Sequence, residues 1–191
     1  MQKIVHPKLR LEISETDAVA EQKLVSHWTT VYIGLGSNLA EPMSQIKSAR
    51  AAINRLAYIH ERAFSNLYHS PPMGPPDQPD YINAVMAVVT RLTPPELLRS
   101  LQRLELHHGR ERKAERWGAR TLDLDILVFG DQIINLPDLV VPHVGLAERA
   151  FVLYPLNEIA PSLLIPGKGD IASLLAQCPM NGLKRLDDAN T

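Results

Sequence analysis

Asp123 and Asp125 stand two residues apart in Leu122-Asp123-Leu124-Asp125-Ile126-Leu127-Val128-Phe129, an otherwise apolar run that reads as a buried strand. Strand side chains alternate faces, so the two carboxylates point the same way, with α-carbons roughly 6.5–7 Å apart. On an apolar strand they repel each other, and each costs free energy if desolvated alone. A divalent cation, or a pair of them, resolves both problems. A site with two carboxylates and few other ligands suits Mg²⁺, which keeps several waters and takes substrate phosphates as further ligands. Just upstream lies a basic run of Arg110, Arg112, Lys113, Arg116 and Arg120, diluted by Glu111 and Glu115. Asp-x-Asp by itself is most often a solvated strand face. Its apolar setting and the basic run beside it are what point to metal and phosphate, and hence to a nucleotide site.

The elements that must position these groups follow from periodicity. Val31-Tyr32-Ile33-Gly34-Leu35-Gly36 reads as a strand running into Ser37-Asn38. Its glycines permit a tight exit or a close backbone approach, and without a third glycine they make a weak dinucleotide fingerprint. Pro42 suits a first helical turn, and Ile46, Ala49, Ala52, Ile53 and Leu56 recur at helical spacing. Residues 62–68 read as a second strand. Residues 69–80 carry five prolines and a glycine and must be a loop, long enough for a lid or binding role. A third strand spans 81–90, with Tyr81 and Asn83 on one face: a ring beside an amide suits a flat heterocycle. Thr93, Pro94 and Glu96 open a second helix as N-cap, N1 and N3, and Gly109 closes it. Leu97, Leu98, Leu101, Leu104 and Leu106 form its apolar face, and Gln102 and Glu105 are neighbours on it. After the aspartate strand come a turn at Gly130-Asp131, a return strand over 132–135, a helical region over 146–159 interrupted by Pro155, and a short helix over 171–176. The order β-α-β-β-α-β is the ferredoxin-like split unit. The expected class is therefore α+β: an antiparallel sheet with helices on one face, and the C-terminal helices available to cover the other.

Composition narrows the function classes. The chain has 191 residues, 45% hydrophobic, enough for one domain with a real core. Its net charge of −1 and 5% aromatic content argue against an RNA-binding module on the same fold, which would display aromatics on its sheet and a basic face. One cysteine, Cys178, leaves no internal disulfide and no cysteine-cluster metal site, in keeping with a cytoplasmic protein. No apolar run is long enough for a membrane span, and no secretory leader is evident. On the residues alone, group transfer from a nucleotide and metal-dependent phosphohydrolysis both remain open.

Four ordered blocks carry a resemblance. Arg116-Trp117-Gly118-Ala119-Arg120-Thr121-Leu122-Asp123-Leu124-Asp125-Ile126-Leu127 resembles the signature of the 6-hydroxymethyl-7,8-dihydropterin pyrophosphokinase family. Gly34-Leu35-Gly36-Ser37-Asn38-Leu39, Pro71-Pro72-Met73-Gly74-Pro75 and Asp77-Gln78-Pro79-Asp80-Tyr81-Ile82-Asn83-Ala84 resemble its other blocks in the same order. The resemblance implies a ferredoxin-like core with added helices. It also implies transfer of pyrophosphate from ATP, the co-substrate, to the pterin hydroxymethyl oxygen, with release of AMP, in folate synthesis. Asp123 and Asp125 match the carboxylates that hold two Mg²⁺ ions. Arg110, Arg112 and Arg120 match catalytic, phosphate-facing positions in or near a mobile loop, and Trp117 a loop aromatic that closes over both substrates. Gln102, Glu105, Ile126, His143 and Arg149 match ATP-side positions, together with Arg112, Trp117 and Arg120. Ser70, Pro71, Met73, Tyr81, Asn83 and Phe151 match the pterin side. Three positions depart from the pattern: Asp138 where a basic residue occurs, Val140 where a hydroxyl occurs and Val144 where an aromatic is familiar. The expected organisation is a flexible extension over 1–30, the pyrophosphokinase domain over 31–180 and a tail over 181–191. The expected partners are ATP and the reduced pterin only, with no nucleic acid or membrane, and the expected state is a monomer.

Overall fold

A computed structural model describes residues 24–75, 77–109 and 118–186. The basic residues Arg110, Arg112, Lys113 and Arg116, the loop aromatic Trp117, most of the expected N-terminal extension and the last residues of the tail lie outside the described residues.

The elements run β1 (Leu24–Ser37), α1 (Pro42–Ile53), β2 (Ile59–Phe64), β3 (Tyr68–Ser70), β4 (Tyr81–Leu92), α2 (Pro94–His107) and β5 (Asp123–Phe129). A hairpin of β6 (Ile134–Leu136) and β7 (Leu139–Val141) follows, then a 3-10 turn (Leu146–Glu148) and α3 (Ala150–Ile159). The chain then forms β8 (Leu164–Ile165), β9 (Gly169–Asp170), α4 (Ile171–Gln177) and β10 (Lys184–Arg185). The main sheet is antiparallel in the order β10-β3-β4-β1-β5, with β2 also pairing β4. Reduced to its core strands this is β2-β4-β1-β5, the ferredoxin-like arrangement.

Alternation explains the layers. Val31, Ile33 and Leu35 of β1, with Leu124 and Ile126 of β5, face one side and pack on Ile46, Ala49 and Ile53 of α1 and Leu97 and Leu101 of α2. On the other side Val85 and Leu127 pack on Val152, Leu153 and Leu156 of α3 and Ile171 of α4. Helices thus cover both faces, and β4, apolar almost throughout, is buried along nearly its whole length.

Several local features differ from the sequence reading. β1 begins at Leu24, inside the expected extension: Thr29 and Thr30 pair with Thr90 and Val89. At the other end Lys184 and Arg185, placed in the tail by the sequence, pair with His69 and Tyr68. The single strand expected over 62–68 is two. Val85 N–H donates to the Ser65 hydroxyl while Ser65 N–H donates to the Val85 carbonyl, so a side chain interrupts the ladder between β2 and β3. The return strand expected over 132–135 instead pairs with β7 as a separate hairpin. Thr93 occupies the N-cap of α2 without a side-chain cap bond, while Glu96 is engaged by Arg99. Leu106 is 52% exposed rather than part of the apolar face. Pro155 does not interrupt α3: the helix continues through it with one intrahelical bond forgone. Gly109 closes α2 at φ 77°, the left-handed conformation a helix end favours.

Residues 24–30 are expected to contribute to stability. A chain starting at Val31 loses the Thr29 and Thr30 pairings and the bond from Arg91 Nε to the Val25 carbonyl. Relative to a chain starting at Leu24, it should be less stable by about 2 kcal/mol, the scale of a few net hydrogen bonds. That corresponds to a melting temperature roughly 4–8 °C lower. Equal melting temperatures in thermal denaturation would show that the early part of β1 adds nothing.

Candidate active site

Three strands build the floor of the site. Gly36 pairs with Asn83 on β4 and with Asp123 on β5; two residues back, Gly34 pairs with Val85 and with Asp125. Directly paired residues share a face, so an amide and a carboxylate flank one glycine and a valine and a carboxylate flank the other. The glycines contribute no side chain, and the centre of the sheet becomes a trough. A Cβ at Gly36 would lie 3.5 Å from Asn83 Oδ1 and 4.0 Å from both Asp123 Cβ and Tyr81 Cδ1. The resulting cavity, about 280 Å³, has Asp123 and Asp125 on its β5 side and Asn83 and Tyr81 on its β4 side, and Ser70, Pro71, Met73, His143, Arg149 and Phe151 also line it.

The acidic end is electrostatically poised. Arg120 Nη1 donates to Asp123 Oδ1 at 2.7 Å. Burial, then the neighbouring charge of Asp123 and a smaller one from Glu105, push the Asp125 carboxyl up to about 7, against the pull of Arg149 and Arg120. The Asp125 side chain is 41% exposed, but into a concave trough, so protein still surrounds most of it. His143 Nε2 lies 3.7 Å from Asp125 Oδ2, too far for a hydrogen bond. Burial and the charge of Arg149 lower His143 to about 4, so at neutral pH the two do not form an ion pair. Gly145 N–H donates to His143 Nδ1 at 3.1 Å. That bond assigns the imidazole hydrogen to Nε2, on the side facing Asp125. Arg149 packs directly on Gly145, where a Cβ would come 2.7 Å from its Cζ. Any side chain at Gly145 would push the guanidinium from this position.

The opposite end is a wall of rings and amides. Asn83 Nδ2 donates to Ser70 Oγ at 2.9 Å, which fixes the amide with Oδ1 over Gly36. Tyr81 and Phe151 line the cavity, and the Tyr81 hydroxyl donates to the Gly118 carbonyl at 3.2 Å. Behind the wall, Glu158 of α3 accepts from Asn66 and from the Tyr68 hydroxyl, pinning β3 to the helix.

Of the residues singled out from the sequence, Ser70, Pro71, Met73, Tyr81, Asn83, Arg120, Asp123, Asp125, His143, Arg149 and Phe151 converge on this one cavity. Three do not line it. Ile126 is buried on the opposite sheet face. Glu105, 5% exposed, accepts from Leu124 N–H at 2.8 Å and thereby holds the strand between the two aspartates. Gln102, one turn earlier on α2, is also off the lining. Val144 is 64% exposed, and Val140 and Asp138 lie on the exposed side of the β6–β7 hairpin. Arg110, Arg112 and Trp117 fall outside the described residues. Sequence reading missed Gly145, which packs against the Arg149 guanidinium, and Ser37 and Asn38, which bond the backbone at Thr121 and Arg120. The available signal for the latter was two adjacent polar residues at the end of a buried strand.

Among the described residues no group of three or more His, Cys, Asp or Glu forms a metal cage. Two carboxylates on a cavity floor, with room for water and substrate oxygens, are the donor set that fits Mg²⁺ rather than a metal held wholly by protein.

Residues 32–161 match the family model described as 7,8-dihydro-6-hydroxymethylpterin-pyrophosphokinase. The chain is 52% identical over 159 residues to a 2-amino-4-hydroxy-6-hydroxymethyldihydropteridine pyrophosphokinase of Pseudomonas aeruginosa, covering 83% of this chain and 98% of that one. It is 48% identical over 148 residues to the protein of the same name from Haemophilus influenzae, covering 78% and 92%. A crystal structure of Plasmodium falciparum HPPK-DHPS with STZ-DHP shares the fold at a TM-score of 0.64 and 15% identity. That match covers 91% of this chain but 48% of the larger one, so the chain spans about half the length of the protein in that structure. The chain belongs to the 7,8-dihydro-6-hydroxymethylpterin-pyrophosphokinase family.

Proposed function

We propose that this chain transfers the terminal diphosphoryl group of ATP to the hydroxymethyl oxygen of 6-hydroxymethyl-7,8-dihydropterin. The products are AMP and the pterin diphosphate, on the route to folate. The observation that carries this reading is the row Asn83–Gly36–Asp123 across three strands. It places an amide suited to a pterin edge and a carboxylate suited to a phosphate-bound cation in one trough. The trough is kept open by a residue without a side chain.

Each group has a role its environment supports. With Nδ2 held by Ser70, Asn83 offers Oδ1 to the N–H groups of the pterin edge. Tyr81 and Phe151 take the flat ring between them. Asp123 and Asp125 would hold two Mg²⁺ ions, which supply charge neutralisation to the triphosphate when bound. Arg120 and Arg149 add guanidinium donors for phosphate oxygens, in a geometry that ammonium groups do not match. His143, neutral, presents Nε2–H as a donor without adding charge. Glu105 holds the backbone that spaces the two aspartates. Outside the described residues, Arg110, Arg112 and Trp117 are assigned by family resemblance to a segment that closes over ATP and excludes water. We place the protein in the cytoplasm as a monomer; among the described residues no helix is long and apolar enough to cross a membrane.

Incubating the purified protein with ATP, Mg²⁺ and the reduced pterin should yield AMP and the pterin diphosphate in equal amounts. ADP or inorganic phosphate as the main product would contradict the reading and favour phosphohydrolysis.

The Asp125 environment gives a second expectation, with a definite sign. The folded state binds this proton more tightly than the unfolded chain does. Its contribution to metal-free stability is therefore full below the ordinary carboxylate pKa of about 4 and is lost as pH rises through about 7. A cation requires the ionised form, so Mg²⁺–nucleotide binding should release a proton at pH 6 and weaken as pH falls below about 7. Calorimetry in buffers of different ionisation enthalpy reads that proton directly. Asp125→Asn should melt no lower than the parent at pH 8 without metal. Its turnover should fall on the order of 10²–10³-fold, the scale for losing one electrostatic stabiliser of a transition state. Near-parental turnover at saturating Mg²⁺ would remove Asp125 from the site.

A further inference from the structure

Asn38, at the exit of β1, is 2% exposed and does not line the cavity, yet its polar groups reach two distant segments. Its backbone N–H donates to the Arg120 carbonyl at 3.0 Å, and its Oδ1 accepts from Arg120 N–H at 2.7 Å. Its Nδ2 donates to the Pro79 carbonyl at 3.0 Å. The amide can sit only one way round, since exchanging O and N would set donor against donor at Arg120 and acceptor against acceptor at Pro79. Ser37 strengthens the first tie, its hydroxyl donating to the Thr121 carbonyl at 2.6 Å.

Each tied segment delivers a side chain to the site. Arg120 reaches Asp123 at the acidic end. Pro79 lies two residues before Tyr81, whose ring lines the cavity across Gly36 from Asp123 and whose hydroxyl bonds Gly118, next to the Arg120 segment. The bonds close a ring: Asn38 to Pro79, along the chain to Tyr81, across to Gly118, along to Arg120 and back to Asn38.

We propose that Asn38 is a positioning residue, one buried amide that sets Arg120 and Tyr81 relative to each other and so fixes the spacing between the phosphate end and the pterin wall. Its link to turnover rests on the function proposed above; the clamp itself does not. The two halves of the amide can be separated chemically. Asn38→Asp keeps an acceptor for Arg120 N–H but replaces the donor to Pro79 by a second acceptor, which repels that carbonyl. Asn38→Ala removes both side-chain ties.

The test combines amide hydrogen exchange of the full-length protein with steady-state kinetics. Asn38→Asp should speed exchange across residues 77–82 and leave 118–122 protected, while Asn38→Ala should speed both. In kinetics, Asn38→Asp should raise the pterin KM about five- to tenfold, the scale of one lost hydrogen bond, with ATP KM and kcat within about threefold of the parent. Asn38→Ala should also lower kcat about tenfold, because the Arg120 backbone then keeps only the tie from Asn38 N–H to its carbonyl and the guanidinium beside Asp123 is less firmly placed. Parental exchange at 77–82 in Asn38→Asp would overturn the clamp. So would a fall in kcat alone with both KM values unchanged, the mark of a smaller active fraction. Failure of both variants to fold would also overturn it, by making Asn38 a requirement of the fold. An inert parent protein with the expected exchange pattern would leave the clamp standing and sink the functional reading instead.

Discussion

The site depends on β1 lying between β4 and β5 with glycine at the two positions where its neighbours carry chemistry. A pleated sheet normally fills its centre with side chains. Here Gly34 and Gly36 withdraw theirs, opposite Val85 and Asn83 on one side and Asp125 and Asp123 on the other. The trough this leaves is anchored by the central strands of the sheet, so the groups on β4 and β5 keep a fixed separation. On the reverse face the same strands present Ile33, Leu35, Leu124 and Ile126 to α1 and α2. That packing sets the register on which the trough relies, since a slip by one residue would exchange the aspartates for leucine and isoleucine.

Charge is balanced against that rigid floor. The two aspartates would destabilise each other without compensation. Arg120 bonds Asp123, and Arg149 and Arg120 temper the rise of Asp125 without cancelling it. Burial and like charge raise the affinity of Asp125 for a proton, and a divalent cation would relieve the same repulsion. His143 contributes by remaining neutral: burial and Arg149 keep it from adding a third cation to the pair of arginines.

Much of this was legible in the sequence, because the strongest signals are local. Alternation along 31–36 and 123–129, helical spacing from Ile46 to Ile53 and the proline-rich loop each located an element, though not every boundary. Asp-x-Asp announced its own geometry. The missed features depend on contacts distant in sequence. The start of β1 at Leu24 rests on pairing with residues some 60 positions later, and the break at Ser65 on a hydroxyl that replaces a ladder bond to Val85. Gly145 gave no local sign that a guanidinium would pack against it. Glu105, matched to the nucleotide side by resemblance, has a carboxylate that also accepts from the backbone of the aspartate strand. Helical spacing could place it beside Gln102 but could not say which strand the helix would meet.

If one trough holds both substrates, the pterin hydroxymethyl group must lie close to the cation at Asp123 and Asp125. The direct measurement uses Mn²⁺ in place of Mg²⁺ with a non-hydrolysable ATP analogue, and follows paramagnetic relaxation of the bound pterin protons. The account predicts relaxation strongest at the hydroxymethyl protons, weaker around the ring, and abolished in Asp125→Asn. Pterin bound with no metal-dependent relaxation, or with its ring nearer the cation than its hydroxymethyl group, would contradict it.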